Sequence, residues 1–238
     1  MSLSSAVSRL TEYLRRHGLA ATVRRAGLAA RRSIFAGRMV VFYCDLGAAK
    51  LRQVSIPTTV AVERIRSLTD FSEERFKEIT AFWNPKLASR NIRERFGKGA
   101  SLWLVECEGR LVGYGWTLQG GTIEPYYFPL AQDDVHLFDF HVFPDYRGRG
   151  INPCLVSFIL ESLADNCHGR AFIEAAEWNE AQLSSLRKTS FRCLGAAKAF
   201  MIFGHTYVSW SGTQDDRRNA LEAKPGDPVL RTTRSNER

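Results

Sequence analysis

The 238-residue chain is 45% hydrophobic and 24% charged, the balance of a folded protein with one well-buried core, and no apolar run approaches the roughly 18 residues that span a bilayer. Met1 to Arg16 has no apolar stretch of the signal-peptide kind, and Cys44, Cys107, Cys154, Cys167 and Cys193 form no Cys-x-x-Cys pair. Secretion and a structural zinc site are therefore disfavoured, and a cytoplasmic protein with reduced, buried thiols and no metal is expected. The net charge of +8 is unevenly placed: residues 1–40 carry eight arginines against the single acid Glu12.

That basic arm opens the chain. Leu10, Leu14, Leu19, Val23 and Leu28 recur at roughly helical spacing, and Gly18 and Gly37 divide the segment into two helical pieces. The arginines fit either weak contact with a membrane surface or acidic partner, or simply solvated helix faces. Without lysines or interleaved aromatics they make a poor nucleic-acid footprint, so no nucleic-acid partner is expected.

Met39 to Cys44, apolar and rich in β-branched and aromatic residues, reads as a buried strand, and Thr58 to Ile65 as a second. Ser72 to Trp83 reads as a helix, with Phe76, Ile79 and Phe82 on one stripe, Ser72 as cap and Glu73 and Glu74 in the first turn. Another helix is expected from about Leu87 to Phe96, stopping at Gly97. Ser101–Cys107 and Leu111–Leu118 flank Glu108-Gly109-Arg110, a hairpin signal. A longer loop, Gln119 to Asp134, precedes the strand Val135–Phe143. The remaining elements are a helix from Cys154 to Ala164, a strand Arg170–Ala176, a helix Asn179–Ser190, and strands Arg192–Phe203 and His205–Trp210 around Gly204. From Ser211 the chain turns polar and reads as a disordered tail.

Between the strand ending at Phe143 and the helix at Cys154 lies Asp145-Tyr146-Arg147-Gly148-Arg149-Gly150-Ile151-Asn152. A strand that enters a helix through a glycine-rich turn leaves several backbone N–H groups unpaired at the positive end of the helix dipole, which suits a phosphate. Arg147 and Arg149 add charge beside it.

Arg147-Gly148-Arg149-Gly150-Ile151-Asn152, preceded by Val142-Phe143-Pro144, resembles the [Gln/Arg]-x-x-Gly-x-[Gly/Ala] hallmark of the GNAT superfamily, the acetyl-CoA-dependent N-acyltransferases. Downstream, Glu174 to Asn179 and a helix running on to Phe191 repeat the spacing of that family. The resemblance covers about residues 58–210. It implies an α/β fold with a mixed central sheet of six to seven strands and helices on both faces. The expected organisation is a basic extension (1–57), a GNAT-like domain (58–211) and a tail (212–238).

The resemblance also implies acetyl-CoA as co-substrate. Arg147, Gly148, Arg149, Gly150, Ile151 and Asn152 would hold its diphosphate, and Asn179 with the backbone of Phe140, His141 and Val142 its pantetheine arm. Three positions depart from the pattern: Asn152 replaces a small residue ahead of Pro153, Ser190 replaces a glycine, and Leu186 stands where many members carry a proton-donating tyrosine.

Transfer to an alkylamine with a pKa near ~10 calls for a base. Glu174, His136 and Asp139 are the candidates, each with a structural alternative: an arginine pair for Glu174, polar filling for His136, and, for Asp139 between two phenylalanines, a paired carboxylate. Strand alternation puts Asp139 and His141 on one face and His136, Phe138 and Phe140 on the other, unless a bulge intervenes. Asn179 serves equally as a helix cap. Tyr146 and Tyr207 are candidate substitutes for the missing acid, with core or surface packing as the alternative, and Trp103, Trp116, Tyr126, Tyr127 and Phe128 are candidates for an acceptor pocket or for the core. The expected reaction is acetyl transfer to a primary amine of a small molecule, such as an amino sugar or sugar nucleotide. The alternatives are a protein or peptide amine, a carrier-protein acyl donor, and a non-catalytic binding module.

Overall fold

Eight strands form one sheet in the computed structural model, which describes residues 37–47, 51, 60–124, 126–165, 169–202 and 205–211. The helices expected in the basic arm, Cys167 and the polar tail lie outside the described residues. In chain order the strands are β1 (Arg38–Asp45), β2 (Val60–Ile65), β3 (Ser101–Cys107), β4 (Arg110–Gln119), β5 (Val135–Val142), β6 (Arg170–Ala176), β7 (Arg192–Ile202) and β8 (His205–Ser211). They lie side by side as β2-β3-β4-β5-β6-β1-β7-β8. Every neighbouring pair is antiparallel except β5 and β6.

The strand count exceeds the six to seven expected because β1 is an interior member of the sheet. Val41, Phe42 and Cys44 are buried, as a doubly covered strand requires. On one side Val41 stands opposite Glu174 of β6, and on the other opposite Gly195 of β7.

Helices cover both faces. On one, α3 (Ile151–Ala164) and α4 (Glu180–Leu186) bury Leu155, Ile159, Leu183 and Leu186 against Trp103, Val112 and Leu137. On the other, α1 (Glu73–Phe82) and α2 (Pro85–Gly97) bury Ile79 and Ile92 against Leu102, Leu104 and Trp116. Trp103 and Trp116 are thus core residues, each side chain of this size contributing roughly 2–3 kcal/mol on burial. Side-chain caps set the helix starts. Ser72 Oγ accepts from the Arg75 N–H at 3.3 Å, as expected, and Asn84 Oδ1 accepts from the Leu87 N–H at 3.2 Å. With Pro85 preset for the first helical position, α2 begins two residues earlier than its apolar pattern indicates.

Candidate active site

The parallel pair β5–β6 runs only from Val135 opposite Ala171 to Leu137 opposite Ile173. Beyond that point the two strands diverge, and a bulge in β5 accompanies the fork. Trp116 of β4 stands opposite Phe138 and Tyr114 opposite His141, so Asp139 and Phe140 share the place facing Gly115. Asp139 takes the extra residue's turn at φ +49. The Phe140 ring covers Gly115 so closely that a Cβ there would lie 2.5 Å from it. Only glycine at 115 leaves room for this ring.

The bulge overturns the expected side-chain alternation. Phe138 packs with the α1–α2 cluster, Phe140 and Val142 with the α3–α4 cluster, and His141 turns back among Phe82, Trp83, Tyr114 and Phe143. His141 Nε2 is buried there without a hydrogen bond. Burial, with the nearby Arg147 charge, holds its pKa below the usual imidazole range. Asp139 forms an ion pair with Arg95, whose guanidinium lies over the Trp116 and Phe138 rings. Of the two accounts of this carboxylate, the structure shows the paired one.

After β5, a short 3₁₀ turn, Pro144–Tyr146, leads into the glycine turn. Gly148 and Gly150 both have φ +79, a conformation costly for any residue with a Cβ, and open space surrounds each. The first amide to re-enter the backbone network is that of Cys154, which donates to the Gly150 carbonyl at 3.2 Å. Among the described residues, no group accepts from the N–H of Gly148, Arg149, Gly150, Ile151 or Asn152. These five donors meet the N-terminus of the 14-residue helix α3. Pro153 costs nothing there, because its position needs no intrahelical donor.

The side chains around the turn are partly committed. Arg147 Nε donates to the Val142 carbonyl at 2.9 Å, so one backbone group expected to meet the pantetheine arm is already engaged. Arg149 lies over the Tyr146 ring. Asn152 Nδ2 donates to Ser185 Oγ at 2.8 Å and Gln182 Oε1 at 3.2 Å, tying α3 to α4, a role its sequence position did not disclose. Asn179 Oδ1 accepts from the Gln182 N–H at 3.3 Å and caps α4. Leu186 is fully buried in the core, so α4 presents no proton donor at that position.

At the fork, the structure brings together two residues that the sequence presented separately. His136 faces Phe172 across the parallel pair, and Glu174 lies two residues farther along β6 on the same face. Its carboxylate therefore reaches back to His136, with Nε2 3.0 Å from Oε2 and 3.3 Å from Oε1. His136 is 4% exposed, and its Nδ1 is buried without a partner. The Tyr126 ring lies 4.8 Å from the imidazole, and the Phe138 ring stacks on it at 5.3 Å. Burial and the neighbouring Glu174 charge push the Tyr126 phenol well above its ordinary pKa, which keeps it protonated. Tyr207 is an exposed residue of the terminal strand. Among the described residues no three His, Cys, Asp or Glu side chains cluster as a metal site would require, and no helix is long and apolar enough to cross a membrane.

A parallel strand pair that forks beside a bulge, with a free-amide turn at the start of the connecting helix, restates in coordinates the motif and spacing of the sequence. The family model described as the acetyltransferase (GNAT) family matches residues 65–191, more than half of the chain. This chain belongs to the GNAT acetyltransferase family.

Solved GNAT structures similar to it include an acetyltransferase from Colwellia psychrerythraea, at 13% identity and TM-score 0.48 over 66% of this chain and 52% of that one. A tandem GNAT protein of the clavulanic acid biosynthesis pathway, solved without acetyl-CoA, gives 13% and 0.49 over 79% and 60%. A GCN5-related N-acetyltransferase from Kribbella flavida gives 14% and 0.39 over 59% and 49%. The chain thus spans less than two thirds of each of these relatives. No curated protein matches the sequence. This GNAT domain carries the glycine turn, the fork and a leucine at position 186, and β1, which lies outside the matched residues 65–191, is an interior strand of its sheet.

Proposed function

We propose that this GNAT protein transfers acetyl from acetyl-CoA to a primary amine of a small molecule by direct attack, with Glu174 as the base and His136 holding it. The reading rests on the His136–Glu174 pair at the point where β5 and β6 part. The turn fits the donor: five amides without internal partners, two glycines with open space above them and the Arg147 charge suit a diphosphate.

Acetyl-CoA supplies the acetyl group as an activated thioester. The chain's residues handle position and protons. Gly148 to Asn152 and Arg147 would hold the diphosphate, and the open edge of β5 around Phe140 would take the pantetheine arm. An amine nitrogen sheds a proton as its bond to carbon forms, and the Glu174 carboxylate accepts it. His136, with its Nε2 directed at Glu174, fixes the carboxylate's rotamer. Because Leu186 is a core residue, water protonates the departing sulfur in this scheme.

An acetyl-CoA titration followed by thermal unfolding, together with a thiol-release assay across amines, tests the proposal. Donor at 100 times its dissociation constant stabilises the fold by about 2.7 kcal/mol. An amino sugar, a sugar nucleotide, a lysine peptide and a carrier-protein donor belong in the panel. No stabilisation and no thiol release with any acceptor would refute it.

A further inference from the structure

The bulge in β5 is held from both faces of the sheet. Phe140 lays its ring over Gly115 on the α3–α4 side, and Asp139 sends its carboxylate to Arg95 on the α1–α2 side. A strand residue at φ +49 is conformationally costly, and the extra residue leaves the ladder, so side chains must fix it. Pairing of β5 with β6 stops at Leu137, and from Asp139 onward β6 no longer steadies the strand.

Arg95 is rigidly placed. It lies in the last turn of α2, where its carbonyl accepts from the Lys98 N–H at 3.1 Å and the Ala100 N–H at 3.0 Å. Its guanidinium lies 5.1 Å from the centre of the Trp116 ring and 5.4 Å from that of Phe138, and those two rings stack on each other. Trp116 and Phe138 are the cross-strand pair directly before the bulge. A planar cation against these rings is aimed at the next residue of β5, Asp139. The Arg95 side chain is 18% exposed and that of Asp139 40%, so the pair is partly shielded from water, which strengthens it. An aliphatic stem alone would cover the same rings. The guanidinium adds a grip on the one residue of β5 whose backbone departs from the strand.

On the transferase reading proposed above, the edge of β5 around Phe140 takes the pantetheine arm and with it the thioester. We infer that Arg95 is a positioning residue for the transfer step: by holding Asp139 it fixes the Phe140 main chain against which the thioester lies, across the fork from Glu174. The glycine turn grips the diphosphate separately. Arg95 therefore governs the alignment of the reacting atoms and leaves the donor's affinity to Arg147 and Gly148 to Asn152. A misplacement of about 1 Å costs on the order of a hundredfold in rate.

The test uses the full-length protein, acetyl-CoA and the amine of the panel above that gives the fastest thiol release. Arg95→Met keeps most of the stem and removes the charge. It is expected to lower kcat by at least about tenfold, with the KM for acetyl-CoA and the acetyl-CoA-induced thermal shift within about twofold of the parent. Arg95→Lys, which keeps a cation without the planar fork, is expected to recover part of that loss. Asp139→Asn still offers the guanidinium an oxygen and should lose less than Arg95→Met. Phe96→Leu loosens the same helix end by trimming the ring that meets Trp116 at 5.1 Å, and should lower Tm while kcat stays at the parent value. If Arg95→Met does not fold, Arg95→Lys decides: a lowered kcat at unchanged acetyl-CoA KM supports the inference, and the parent's kcat overturns it. Parental kcat in Arg95→Met, a raised acetyl-CoA KM without a fall in kcat, or an equal kcat loss in Phe96→Leu overturns the inference while leaving the transferase reading intact. Absence of thiol release by the parent with every amine, together with absence of the acetyl-CoA shift, overturns the transferase reading and this inference with it.

Discussion

Glu174 Oε2 lies 3.0 Å from His136 Nε2 across the fork between β5 and β6, so each side chain helps to orient the other. Replacing the carboxylate removes the proposed base without disturbing the glycine turn. Glu174→Gln should lower kcat by about 10²- to 10⁴-fold while acetyl-CoA stabilises the variant as it does the parent. His136→Gln should show a smaller fall and a shifted pH profile. Initial rates across pH and a thermal-shift titration check both.

Asp139 stood beside Glu174 and His136 as a candidate base, and its pairing with Arg95 supports a different role. Its backbone has φ +49, which asparagine tolerates better than other residues with a Cβ. Asp139→Asn should keep kcat within a few-fold of the parent. Asp139→Val should lower stability by about 1–3 kcal/mol and depress activity through the distorted bulge. Denaturant unfolding with parallel assays separates the two effects, and a thousandfold kcat loss in a fully stable Asp139→Asn would return this carboxylate to the catalytic set.

A methyl group at Gly150 meets no neighbouring atom, so its cost is conformational. Gly150→Ala should destabilise the protein by roughly 1–2 kcal/mol, the penalty for the left-handed conformation, and weaken acetyl-CoA binding by turning the amides away from the ligand. Equilibrium unfolding and a donor titration measure the two losses separately.

His141 loses stability to acid. Its folded pKa is lowered by burial first and by Arg147 second, with Asp139 opposing. The unfolded chain therefore binds the proton more readily than the folded one. The stability tied to the neutral ring is present above the ordinary imidazole pKa of about 6.5 and declines as pH falls from there towards the lower folded value. Comparing Tm at pH 7.5 and pH 5.5 for the parent and His141→Phe should show a shallower acid loss in the variant. Equal slopes would remove His141 from the account.

Local signals were legible in the chain. Ser72, Asn179 and the glycine turn mark helix starts through chemistry contained within a few residues, and β6 follows its apolar run from Arg170 to Ala176. What escaped depends on partners far away in sequence. The Asp139 bulge needs the missing side chain of Gly115 opposite it. The His136–Glu174 contact needs the parallel register of two strands joined through a helix. Asn152 reads as a defect in the motif until Ser185 and Gln182 are beside it. Pro85 extended α2 because a cap and a preset dihedral outweigh the apolar stripe at a helix start.

The position of β1 bears on how the protein is assembled. Glu174 projects from a stretch of β6 that β5 has already left, so on that side of the fork its main chain is anchored by Val41. A fragment begun at residue 58 would lose an interior strand of its sheet, and the β6 edge that carries Glu174 would be released. During synthesis the earliest described strand must wait for more than a hundred later residues before either neighbour exists, a long-range closure that slows folding and exposes an apolar segment meanwhile.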